Sequence, residues 1–96
     1  MTRHVRFFPD IGAPWCLWEA GASNSTPYAT QLGASQLLED RITGWYEFWE
    51  RHCNWENGFD SPGAKATWIA HGDGLLVDLR RELQDSDIRV TPLYAE

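Results

Sequence analysis

The residues of this 96-residue chain with the types and spacing for chemistry are few, and none builds a recognised catalytic motif. His52 and Cys53 adjoin, and a cysteine near a histidine is the pairing that activates a thiol nucleophile. His71 with Asp73 or Asp78 is the pairing of a general base with its carboxylate. Neighbouring helical positions point about 100° apart, however, so His52 and Cys53 do not converge on a metal without distant help. A chain with three histidines and fourteen acids offers such pairs by accident. Glu47 and Glu50 resemble a catalytic carboxylate pair, but on a polar helix face charge is ordinarily solvated. The stretch AHGDG at 70–74 lacks the glycine pattern of a phosphate loop and follows no strand. Cys16 and Cys53 lie far apart and match no zinc spacing. The sequence therefore calls for no cofactor and no metal, and assigns no catalytic residue.

The elements that position these residues read as ββααβ. HVRFF at 4–8 alternates Val5 and Phe7 against Arg6, and WCLW at 15–18 alternates Trp15 and Leu17 against Cys16, so both are short strands, joined through a loop from Pro9 to Pro14. Residues 20–34 are small, polar and turn-forming, a long loop with at most one short turn at its end. Ser35 is a good N-cap for a first helix running to about Cys53. Its apolar arc holds Leu38, Ile42, Trp45, Phe48 and Trp49, with Glu39, Asp40, Glu47, Glu50 and Arg51 opposite. Glu47 and Arg51 stand four apart in the order that favours an ion pair.

After an Asn57-Gly58 turn, Ser61 caps a second helix with Pro62 at its first position, running to about Gln84 with Trp68, Ile69, Leu75, Leu76, Leu79 and Leu83 inward. IRVTPLY at 88–94 is the last strand, and Pro92 restricts it to an edge or an ending. One domain, 1–96, results: an α+β fold with a small antiparallel sheet of three strands and two amphipathic helices packed on one face, the last strand beside the first. The other sheet face then presents His4, Arg6, Phe8, Cys16, Trp18, Arg89 and Thr91. Either the long loop folds over Phe8 and Trp18, or these aromatics meet a partner.

Composition narrows the function classes. At 43% hydrophobic and 14% aromatic the chain has ample apolar surface to fold. The formal charge of −6 is concentrated at 35–60, where six acids face two arginines. Such a surface repels phosphate backbones and anionic lipid, so neither nucleic acid nor membrane is an expected partner, whereas a basic protein is. MTRHVRFF lacks the apolar run of a secretory signal and no stretch approaches a membrane span, which places the protein in the cytoplasm with reduced thiols.

The chain resembles a group of small acidic actinobacterial proteins. The matching residues are Leu17-Trp18 closing the strand pair, Asn54-Trp55-Glu56 with Gly58-Phe59 between the helices, GDGLLVDLRREL at 72–83, and IRVTPLY at 88–94. The resemblance implies the fold and carries no activity to any residue. The function expected from the residues is a small acidic protein-interaction module of inhibitor or immunity type. Glu39, Asp40, Glu47 and Glu50 would steer a basic partner and Phe8 and Trp18 would supply contact area. The alternative is a small enzyme or ligand-binding domain with a pocket between the long loop and the first helix, drawing on His52, Cys53 or His71. A homo-oligomer paired through open sheet faces is a further expectation.

Overall fold

A computed structural model describes residues 3–9, 15–19, 26–54 and 56–93. Strand β1 (Arg3–Phe7) lies between β2 (Leu17–Glu19) and β5 (Ile88–Pro92). Helices α1 (Gln36–His52) and α2 (Pro62–Glu82) pack on one face of this sheet, as the ββααβ pattern requires. A two-residue ladder, β3 (Cys53–Asn54) with β4 (Gly58–Phe59), closes the turn between the helices, and Gly58 takes the positive φ of 72° that this tight reversal demands. Residues 29–32 of the long loop form a single 3-10 turn, and the expectations for residues 10–14, 20–25 and Trp55 fall outside the described residues.

The sheet is mixed, not antiparallel. β1 pairs antiparallel with β2, but β5 runs parallel to β1, Val5 opposite Val90 and Phe7 opposite Pro92. A parallel neighbour needs a long crossover, and the helix pair supplies it.

Both helix starts follow the expected chemistry. The Ser35 hydroxyl accepts from the Leu38 amide at 3.2 Å and that of Ser61 from Ala64 at 3.0 Å, with Pro62 where a missing N–H costs nothing. Glu82 then ties the end of α2 to the start of α1, one carboxylate oxygen accepting from the Ser35 amide at 2.7 Å and the other from its hydroxyl at 3.1 Å.

Val5, Phe7 and Leu17 from the sheet meet Leu38, Ile42 and Trp45 from α1 and Trp68, Leu75 and Leu79 from α2. At the centre Trp45 and Trp68 stack with ring centroids 4.3 Å apart and 6° between planes. Each indole donates to the other's backbone carbonyl, at 2.8 and 3.1 Å, so two buried donors are satisfied reciprocally. The buried arc of α1 is turned away from α2 relative to the projection. Tyr46 and Glu39 are buried while Phe48 and Trp49 are only partly so, because Trp15 packs on Tyr46 at 5.3 Å and the 3-10 turn covers Glu39. Cys16, expected on the open sheet face, is also fully buried: β2 begins only at Leu17, and the irregular backbone before it turns Trp15 and Cys16 alike into the core.

Candidate functional site

The outer side of α1 carries the acids that the sequence singles out, and the structure divides them. Glu39 is 8% exposed and accepts from the Thr30 amide at 3.3 Å. It belongs to the joint between α1 and the 3-10 turn, not to the surface, because the turn leans on the side of the helix that the projection leaves open. Asp40 is exposed and accepts from Gln36 at 2.9 Å. Glu47 and Glu50 are exposed and make no hydrogen bond or ion pair among the described residues. The Glu47–Arg51 ion pair expected from the spacing is not formed, so Arg51 too is uncommitted. Asp40, Glu47 and Glu50 lie within about one third of the helix circumference, on the side turned from the core.

Beside this ridge, between α1 and α2, runs a groove of about 350 Å³. Trp45, Phe48 and Leu75 floor it, Gly44 leaves it open, and Arg41, Arg51 and His71 stand around it. Arg41 is held by Asp78 at 2.7 Å, and Asp78 also receives Arg81. Asp78 is thereby spent on arginines and is no partner for His71.

The opposite side of the molecule is the open sheet face. In register across it stand His4 beside Arg89 and Arg6 between Trp18 and Thr91, with the four cationic or polar residues exposed. Phe8 and Trp18 stack at 5.4 Å, and the Trp18 indole donates to the Phe8 carbonyl at 2.8 Å, which leaves both rings half-buried. Arg6 and Arg89 have no ion pair among the described residues. Within an acidic protein this face is basic and aromatic. Of the residues expected to share one interface, Trp18 lies across the sheet from the α1 acids, while Phe8, stacked on it, also reaches the hollow lined by Trp49 and Trp68 at the end of α1.

His52 and Cys53 adjoin at the end of α1, but neither lines a hollow with His71. Nδ1 of His52 lies 2.8 Å from an oxygen of Asp60, at the junction of α1 with the β3–β4 turn. Cys53 stands half-buried in β3, and burial raises the pKa of its thiol. His71 lines the groove with neither of them. A second, shallower hollow of about 530 Å³ at the aromatic end of α1 is lined by Trp49, Phe59, Trp68 and Lys65 and by none of those three. Burial drives the Cys16 thiol far above the usual cysteine range, which keeps it neutral. Among the described residues no group of three His, Cys, Asp or Glu side chains gathers to hold a metal, and no helix is long and apolar enough to cross a membrane.

The model of the Serratia CdiI immunity protein-like family matches residues 3–92. The chain belongs to this family. No curated protein matches it. As an immunity-like inhibitor protein it acts by binding another protein, and the acidic ridge, the groove and the open sheet face all lie within the matched span, which runs from β1 to β5. An inhibitor of this kind needs no reacting group of its own, only a surface complementary to its target.

Proposed function

We propose that this immunity-family chain neutralises a basic protein toxin by docking it on the outer side of α1, with Asp40, Glu47 and Glu50 as the steering charges. The observation that carries the reading is the state of Glu47 and Glu50: two exposed carboxylates, one turn apart, that make no hydrogen bond or ion pair among the described residues. Charges spent on internal pairs are largely neutralised, whereas these project their field outward. Trp18 lies outside this interface, on the far side of the sheet, and Phe8 stacks on it. Pairing of two open sheet faces is disfavoured, since it brings the unpaired Arg6 and Arg89 of both copies together. The cytoplasm, where a toxin that has entered a cell would act, is the compartment that fits.

The test is the association rate with a candidate basic toxin domain, in about 0.1 M and about 1 M salt, between which the screening length drops from about 10 to about 3 Å. Glu47→Lys with Glu50→Lys is expected to slow association about 10-fold or more at low salt and to alter dissociation little. Association that ignores both salt and charge reversal refutes the electrostatic reading.

A further inference from the structure

Steering charges bring partners together but seldom hold them, since affinity in most interfaces comes from a few apolar or aromatic anchors seated in well-packed pockets. The ridge of α1 offers no such anchor site, and the groove next to it does. Resting on the toxin-binding reading above, we infer that the α1–α2 groove floored by Trp45, Phe48 and Leu75 is the anchor pocket of the toxin interface, taking a large apolar side chain of the toxin with an acidic residue beside it.

Three observations converge on this groove. The first is Gly44. It lies in the middle of α1 without a positive φ, and a Cβ built on it meets nothing within 4 Å. A glycine there weakens the helix, and neither backbone conformation nor close packing inside the molecule requires it. What the missing side chain does leave is an opening over Trp45 and Phe48. The second is the seam to which Gly44 belongs. Leu37, Arg41, Gly44, Phe48 and Arg51 recur at spacings of four and three, the repeat by which one helix offers a stripe to another. Leu37 on that stripe is 72% exposed, more than any other large apolar side chain among those described. The stripe thus places Leu37 and Phe48 on either side of Gly44, and α2 meets it at Arg41 through Asp78.

The third observation sets the partner's chemistry. Arg51 and His71 flank the groove and make no hydrogen bond or ion pair among the described residues, while Arg41 keeps Asp78. An interface that buries an unpaired guanidinium pays heavily for it, so the occupant must bring an acceptor, and a carboxylate is the strongest one. The cavity of about 350 Å³ sits near the small end of the roughly 300–1,000 Å³ of typical binding pockets and suits one bulky side chain, not an extended ligand. Lys or Arg residues next to that anchor would then lie over Glu47 and Asp40. The toxin segment is accordingly one with an apolar knob, a carboxylate on one flank and basic residues on the other.

The experiment fills the opening without disturbing the core. Gly44→Trp should fold with an unchanged or higher melting temperature, because the site is exposed and helix propensity rises. It should bind the toxin domain that the natural chain binds about 30-fold or more weakly, the loss typical of an anchor site. Gly44→Ala should bind within about 3-fold of the natural chain while also gaining stability. Arg51→Glu should speed dissociation, in contrast to the slowed association expected at Glu47 and Glu50. Amide signals of Leu37 and Gly44 should shift in NMR spectra on adding the toxin domain, and those of Arg6 and Trp18 should not. If the natural chain forms the complex and Gly44→Trp binds equally well, or the shifts map to the sheet face, the pocket is wrong and toxin binding stands. If the natural chain forms no complex, both fail.

Discussion

The reciprocal indole pair at the centre of the molecule allows a quantitative test of how the two helices are held. Trp45 and Trp68 stack at 4.3 Å and exchange two hydrogen bonds, each indole to the other's carbonyl. Replacing either by Phe removes one bond, worth about 1 kcal/mol. It also withdraws part of a ring from a site that is nearly inaccessible to solvent, at about 1 kcal/mol on the scale of small core truncations. The stacking contact, in the range of about 0.5–1.5 kcal/mol, is degraded as well. Trp45→Phe and Trp68→Phe should each cost about 3 kcal/mol, or about 12–24 °C in melting temperature for a domain of this size. The stacking term can be lost only once. The double variant should therefore cost about 5 kcal/mol, about 1 short of additivity. Urea unfolding followed by circular dichroism at about 10 °C, near the usual stability maximum, keeps even the double variant measurable. Additivity within about 0.3–0.5 kcal/mol, or single costs below about 1 kcal/mol, would refute the view that this pair acts as one unit. The outcome bears on function because Trp45 is also part of the groove floor, so a loosened pair should weaken toxin binding in proportion to lost order.

Two further predictions concern titration. Arg3 grips Glu19 with both guanidinium branches, at 2.5 and 2.7 Å, and holds the Glu19 carboxyl below the usual carboxylate range. A lowered folded-state pKa contributes stability above the unfolded value of about 4.3 and loses it as pH falls through the folded value. Glu19→Gln should accordingly be less stable than the natural chain at neutral pH, by no more than about 1 kcal/mol because the pair is solvent-exposed, and equal to it in strong acid. Unfolding curves at a series of pH values read the difference, and a gap that persists in acid contradicts the assignment. At the cysteines, a disulfide-exchange reagent at neutral pH should label half-buried Cys53 slowly, and fully buried Cys16 only at the rate of global unfolding. Cys16 labelling as fast as Cys53 in the folded state would show that the strand start is open.

Element types, both helix caps and the pairing of last strand with first are legible in the chain because each rests on local chemistry. A serine before an apolar repeat, a proline at a helix start and alternation at period two carry their meaning within a few residues. Local reading also separated the aromatic run at 45–49 from the acids on its other side. It could not see that Glu39 would be covered, since Thr30 reaches it through the loop's return path. Nor could it see that Tyr46 would be buried more deeply than Trp49, which depends on where Trp15 comes to rest.

What the sequence by itself determined is the kind of molecule: a small acidic α+β domain whose negative charge is densest at residues 35–60. Composition and periodicity are sums over neighbours along the chain, and they suffice for that. Only tertiary structure decided which acids face outward unpaired, that β5 runs parallel to β1, that the open sheet face is basic while α1 is acidic, and that a glycine on α1 opens a groove against α2. Each of these depends on residues far apart in sequence meeting in one register. That register is set by the competition of Trp15, Trp45, Trp68 and Phe7 for a single core, not by any pattern within one element.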